Sequence, residues 1–135
     1  MPPGGDPTQE KTLQEIVDEV NLYPIEAFLF LQEGLGYSVT LVHGEMIDPN
    51  VSRHITGPQL CEGLRSYALV QWGMLARVVL ARWSITSTFD FGRIVFALVD
   101  AGHMQKTEAD TIEDFRNVYD FKTAFDGSYK IGSRT

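Results

Sequence analysis

Two histidines and two carboxylates within residues 43–54 are the side chains of this sequence best suited to binding a metal ion. His43 and Glu45 stand in an H-x-E arrangement, which in zinc-dependent deaminases supplies a metal ligand and a proton-transfer group. That chemistry also needs two cysteines spaced as P-C-x-x-C, and the chain has one cysteine, Cys61. A looser site could draw on His43, Glu45, Asp48 and His54, but loop residues have no regular spacing that preorganises them around an ion. The sequence therefore predicts no metal site and no cofactor.

Nucleophilic catalysis has no stronger support. Cys61 is flanked by leucines on the apolar side of a predicted helix, where a thiol is buried and unreactive. The chain contains no G-x-S-x-G elbow, no P-loop and no G-x-G-x-x-G. An enzyme would need His54 or His103 to meet a carboxylate in a cleft. The residue pattern favours a protein without enzymatic activity.

Arginine is concentrated in the middle third of the chain. The formal net charge is −7, but residues 49–99 carry five arginines against two carboxylates, a local charge of +3. Residues 1–48 carry −8 and residues 100–135 carry −2. Two interpretations stay open: the arginines pair with the chain's own carboxylates, or Arg65, Arg77 and Arg93 donate to a second molecule. An acidic chain is repelled by phosphate at long range, so nucleic acid is an unfavourable partner.

An acidic stretch near the C-terminus, residues 108–126, has aromatic side chains interleaved with it. One interpretation is an amphipathic helix with a solvated acidic face. The other is a docking surface, because Tyr119, Phe121 and Phe125 exceed what one narrow helical stripe buries. The second interpretation makes these rings the anchors for another protein or a second copy of the chain. A homodimer joined by arginine–carboxylate pairs is one such assembly.

The elements that position these residues are predicted to be helices, and helix signals dominate the first half of the sequence. Thr-x-x-Glu at residues 12–15 and Thr-x-x-Gln at residues 56–59 have the capping-box spacing that starts a helix. Apolar spacing predicts a further helix over residues 24–42. Residues 37–42 also alternate apolar and polar, as a strand would, although we favour helix.

The second half continues the helical pattern. A break at Gly73 ends the helix that starts near residue 56. The next segment has apolar residues at helical spacing: Leu75, Val78, Val79 and Trp83. Residues 89–100 are apolar almost all round, which predicts a helix inside the core that ends at Gly102. Thr107 or Thr111 then caps a final acidic helix.

These elements predict a mainly α fold, a compact single-domain bundle of five or six short helices with room for a short strand or wing-like hairpin. The domain is expected to cover residues 11–126. Residues 1–10, rich in proline and glycine, are expected to be a disordered tail, and residues 127–135 a flexible C-terminal tail. No signal peptide or membrane-length apolar run is evident, so we expect a cytoplasmic protein that does not associate with membranes.

Several segments together resemble a small family of conserved hypothetical proteins of planctomycete and verrucomicrobial type. They are residues 53–57 (RHITG), 61–68 (CEGLRSYA), 90–96 (DFGRIVF), 106–108 (KTE) and 113–121 (EDFRNVYDF). The resemblance spans roughly residues 22–126 and implies a bacterial, cytoplasmic protein. It brings no activity, cofactor or catalytic residue.

The function that the sequence favours is a non-enzymatic protein-interaction or assembly module. The alternative is a winged-helix-like DNA-binding transcription regulator, because successive helices followed by a helix that ends at glycine suit such a module. A recognition helix needs several donors for base edges or phosphates. Residues 89–100 offer only Arg93.

Overall fold

Helices make up the regular secondary structure of the computed structural model, which describes residues 11–44 and 53–126. In that part of the chain six α-helices follow one another: α1 Leu13–Val20, α2 Ile25–His43, α3 Gly57–Trp72, α4 Ala76–Arg82, α5 Thr88–Asp100 and α6 Phe121–Ala124. Two 3-10 helices, Gly73–Leu75 and Ile112–Phe115, stand between them. The predicted mainly α fold is confirmed, while both predicted tails lie outside the described residues. Among the described helices, none has the length and apolar character needed to cross a bilayer.

Capping boxes start two helices at the predicted residues. The Thr12 hydroxyl accepts the backbone N–H of Glu15 at 3.2 Å, and the Glu15 carboxylate accepts the N–H of Thr12 at 3.1 Å. Thr56 and Gln59 make the same reciprocal pair at 3.2 and 2.9 Å. Each box satisfies two N–H groups that have no partner within the helix, so α1 and α3 begin where the sequence predicts.

Residues 37–42 lie within α2, so the strand alternative does not hold. The polar residues that created the alternation bond back to the helix itself. The Ser38 hydroxyl donates to the carbonyl of Gly34 at 2.6 Å, and Thr40 donates to Gly36 at 3.2 Å. In a strand the polar residues of this alternating pattern would be exposed, but Ser38 is fully buried against α3.

The sequence predicts a final acidic helix that begins at Thr107 or Thr111, and this prediction is wrong about its length. Only the single 3-10 helix Ile112–Phe115 forms there, and Asn117 then adopts a left-handed φ of 54°. The buried side chain of Thr88 explains why the helix stops. Its hydroxyl donates to the carbonyl of Phe115 at 2.6 Å and accepts the N–H of Val118 at 3.1 Å. Those backbone groups are therefore bonded to α5 and not to a continuing helix.

The core forms where α2, α3 and α5 meet. Gly63 of α3 lies directly against Ser38 of α2, and Gly92 of α5 lies against the ring of Phe115. Glycine at position 63 lets the backbones of α2 and α3 approach closely, and glycine at position 92 leaves room for the Phe115 side chain. The α5 residues that the sequence predicts to be buried, including Ile94 and Val95, are inaccessible to solvent. The helices are consequently held at fixed spacings, and these spacings determine which side chains reach the surface.

Candidate functional site

The three arginines predicted to face a partner have different environments. Arg65 is buried in α3, and its Nε donates to the carbonyl of Ala124 at 2.8 Å. Arg93 is exposed on α5, with its guanidinium carbon 5.3 Å from the centre of the Phe89 ring. Arg77 is exposed on α4 and has no salt bridge to any described residue. Arg65 therefore acts inside the molecule, the exposed Arg93 lies 3.8 Å from Oδ1 of Asp90 on its own helix, and Arg77 remains on the outside.

The three aromatic residues predicted as interface anchors lie in the core. Tyr119, Phe121 and Phe125 are at most 9% exposed, and their ring centroids are 5.2 to 6.2 Å apart. The Tyr119 hydroxyl donates to the carbonyl of Cys61 at 2.7 Å, and Cys61 is itself fully buried. The rings attach the C-terminal segment to α3, so the expected surplus of exposed aromatic surface is absent at these positions.

Of the metal candidates, the structure brings the two histidines together. The Nε2 atom of His43 lies 2.7 Å from the backbone carbonyl oxygen of His54. The ring Nε2 of His54 lies 2.9 Å from Oδ2 of Asp110. Glu45 and Asp48 lie outside the described residues. Within residues 11–44 and 53–126 no three metal-ligating side chains come together.

His54 links this cluster, with its carbonyl next to His43 and its ring bonded to the buried carboxylate of Asp110. Burial on its own raises the pKa of Asp110, but hydrogen bonds from Thr107 and His54 outweigh burial and hold the pKa below its usual value. The backbone N–H of Thr107 donates to the carboxylate at 2.8 Å. The cluster thus joins the loop after α5 to the segment before α3. The sequence places the two histidines close together, but it has no local signal for their link to Asp110, because 56 residues separate Asp110 from His54.

Asp90 is a second polar centre, and most of its partners have no local signal in the sequence. Its carboxylate accepts the Tyr23 hydroxyl at 2.5 Å and the backbone N–H groups of Thr86 and Ser87 at 2.9 and 3.2 Å. Burial and the hydrogen bond to Asp90 both raise the pKa of Tyr23. These bonds attach the segment before α2 to the start of α5. Asp90 three residues after Ser87 is a capping spacing, which was a usable signal for half of this arrangement.

The α5 helix does not offer a DNA-reading surface. Ile94, Val95 and Leu98 are fully buried, and Arg93 is its exposed cation. No strand that could form a wing occurs in the described parts of the chain. A recognition helix must enter a groove with several exposed donors, so nothing in this helix favours the winged-helix alternative.

The main exposed apolar surface is the turn from α3 into α4, residues 70–78, which we call the elbow. Val70, Met74, Leu75 and Val78 are 69%, 84%, 64% and 56% exposed. Gly73, with φ of 54°, ends α3 and redirects the chain. The apolar face predicted for this segment is therefore wrong for Leu75 and Val78, which are exposed because α4 packs on the core through Ala76 and Leu80 instead.

Beside the elbow, between α2 and the α3–α4 region, lies a cavity of about 220 Å³ that we call the aromatic pocket. Trp72 and Trp83 meet nearly at right angles, at 80° and 5.4 Å between ring centroids. The Tyr67 hydroxyl donates to the Glu33 carboxylate at 2.9 Å. Its lining combines four aromatic and two acidic residues with one leucine and one glutamine: Phe30, Tyr67, Trp72, Trp83, Glu26, Glu33, Leu29 and Gln71.

No protein-family model, curated protein or solved structure matches this chain. The family resemblance of its sequence segments stays a prediction. The surfaces must therefore be interpreted from the chemistry of their own residues, beginning with the elbow and the aromatic pocket.

Proposed function

We propose that the protein is a non-enzymatic assembly module that associates with a second copy of itself through the elbow. The observation that carries the proposal is the exposure of four large apolar side chains within nine residues. Apolar side chains scattered singly over a surface are ordinary, whereas a contiguous group of them is typical of an interaction site. The elbow takes the place of Tyr119, Phe121 and Phe125 as the apolar part of the interface.

Charge supports a second copy of the chain as the partner. Arg77 and Arg82 are exposed on α4, and no acidic residue occurs between Glu62 and Asp90 in the sequence. The chain as a whole carries −7. In a dimer formed by two elbows, Arg77 and Arg82 of one copy can therefore pair with carboxylates that flank the elbow of the other copy, and arginine pairs well with carboxylates across an interface.

The expected dimer is weak and depends on concentration. Burying a half-exposed Met, Leu or Val contributes about 1 kcal/mol, so the eight such side chains of two elbows contribute about 8 kcal/mol. Association costs roughly 4 to 15 kcal/mol in lost translational and rotational freedom. We therefore expect a mixture of monomer and dimer that shifts with protein concentration.

Sedimentation equilibrium from low micromolar to sub-millimolar protein tests this proposal. Met74→Asp places a charge at the centre of the elbow and should leave only monomer. Leu41→Asp is the matched control, since Leu41 is 56% exposed on α2, outside the elbow, and should dimerise like the wild type. Arg77→Gln should weaken the dimer and reduce its sensitivity to salt. A wild type that stays monomeric throughout, or a Met74→Asp protein that dimerises normally, would contradict the proposal.

A further inference from the structure

We propose that the aromatic pocket binds a quaternary ammonium group. The proposal is independent of self-association, because it rests on the chemistry of the cavity and not on the elbow. Its basis is the combination in one cavity of four aromatic side chains with two carboxylates. Neither an apolar nor an anionic ligand explains why both kinds of residue line the same cavity.

The aromatic residues supply an electron-rich, weakly hydrated lining. Phe30 is 4% exposed and forms the base, with its ring centroid 5.3 Å from that of Trp72 and 5.9 Å from that of Trp83. Trp72 and Trp83 are only partly buried and meet at 80°, so they form a corner open to solvent. The face of an aromatic ring carries negative charge and attracts cations, tryptophan most strongly.

The carboxylates determine the sign of the ligand's charge. Glu26 and Glu33 are exposed on α2, and among residues 11–44 and 53–126 no lysine, arginine or histidine lines the pocket with them. Burial and the hydrogen bond to Glu33 raise the pKa of Tyr67, so its hydroxyl stays protonated and keeps Glu33 at the pocket. The local field therefore attracts a cation and repels phosphate or carboxylate ligands.

Size and hydration narrow the ligand to a quaternary ammonium. At about 220 Å³ the pocket is smaller than the roughly 300–1,000 Å³ of a site for a whole small-molecule ligand, so it fits a headgroup or one side chain. A primary ammonium has three N–H donors and is strongly hydrated, whereas a trimethylated nitrogen has none, so an aromatic lining favours the trimethylated group. Its methyl groups can contact the rings while the charge faces Glu26 and Glu33.

Tryptophan fluorescence gives a direct test, because the two tryptophans of the chain are Trp72 and Trp83. Choline and tetramethylammonium, titrated at constant ionic strength, should each produce a saturable change in emission. The control ligand is the uncharged analogue of choline in which a tert-butyl group replaces the trimethylammonium. It should bind at least about tenfold more weakly, since it fills the same space without the charge. No saturable change with either cation, or equal binding of the analogue, would overturn the proposal.

Two substitutions test whether the pocket's own charge is responsible. Glu33→Gln removes the charge but keeps an oxygen that can accept the Tyr67 hydroxyl, and it should weaken choline binding about five- to tenfold. Glu108→Gln removes an exposed carboxylate that does not line the pocket, and binding should stay unchanged. Equal effects of the two substitutions would mean that only the overall charge of the protein matters, and this would also overturn the proposal.

The ligand group has two sources, a free choline-type molecule or a trimethyllysine side chain. A short peptide with trimethyllysine, measured beside its unmethylated form and beside choline, separates the two sources. Tighter binding of the methylated peptide than of choline identifies a protein source, and tighter binding of choline identifies a free molecule. Repeating the choline titration on Met74→Asp keeps this proposal separate from dimerisation. Binding that persists in that variant supports the pocket even if the elbow fails to dimerise, and binding lost there contradicts a site formed within one chain.

Discussion

Replacing Gly63 by alanine should destabilise the protein by forcing α2 and α3 apart. A Cβ at this position would lie 1.8 Å from Oγ, 2.3 Å from Cβ and 2.9 Å from Cα of Ser38. The last of these atoms belongs to the backbone of α2, so no change of side-chain rotamer relieves the overlap. The helices must separate, and the core beneath them must lose contact.

The magnitude follows from two opposing effects. Alanine in place of glycine within a helix stabilises by about 1 kcal/mol, while overpacking a close contact costs about 1–3 kcal/mol and occasionally more. Because three atoms of Ser38 are involved, we expect the upper part of that range and a net loss of about 2 kcal/mol. Gly36→Ala is the matched control in α2. No atom lies within 4 Å of the Cβ it would add, so it should stabilise by about 0.5–1 kcal/mol.

Urea unfolding followed by circular dichroism measures both variants on one scale. The transition midpoint should fall for Gly63→Ala and rise for Gly36→Ala. Adding Ser38→Gly to Gly63→Ala should cost less than the two single losses together, because it removes two of the three overlapping atoms. A Gly63→Ala protein as stable as the wild type would refute the close packing of α2 on α3.

Three further substitutions probe the buried polar groups. Tyr23→Phe removes the hydrogen bond to Asp90 and should cost about 1–2 kcal/mol at neutral pH. Because the pKa of Tyr23 is raised, this wild-type advantage should be complete up to about pH 10 and then decline progressively as the pH rises toward the raised pKa. Asp110→Asn should cost about 1–2 kcal/mol at neutral pH, and because the pKa of Asp110 is lowered, the difference should vanish in acid, below about pH 4. Arg65→Met should cost about 2 kcal/mol by leaving the Ala124 carbonyl without its donor, yet leave the monomer–dimer equilibrium unchanged. Unfolding curves across pH check the first two, and an Arg65→Met protein that lost only its dimer would show that Arg65 acts between molecules.

Local signals predicted the helices well because capping is local chemistry. Thr12 and Thr56 each bond to a residue three positions along the chain, so the sequence itself contains both partners. Gly73 and Gly102 have φ of 54° and 81°, values that favour glycine, and both stand where the sequence predicts a helix to end. The mainly α fold could therefore be predicted without knowledge of any tertiary contact.

The candidate surfaces depended on contacts between distant residues, and there the sequence was less informative. Arg65 is buried because the carbonyl of Ala124, 59 residues away, accepts its Nε. Thr88 stops the final acidic helix by bonding to backbone groups about 30 residues further along. The local sequence around a buried arginine does not differ from that around an exposed one, and the same is true of a long helix and a short one. Only the distant partner residues distinguish them.

The aromatic pocket had one usable signal, the mixture of residue types on a single helix face. Glu26, Phe30 and Glu33 are spaced by four and three residues, so they lie on one side of α2. A helix face that is buried in the core seldom carries carboxylates, and a helix face that is fully exposed to solvent seldom carries phenylalanine. Phenylalanine between two glutamates therefore indicates the edge of the core, where an aromatic base meets acidic walls. Only the fold could add Trp72 and Trp83, since they come from the end of α3 and the end of α4, and with them the edge becomes a pocket for a cation.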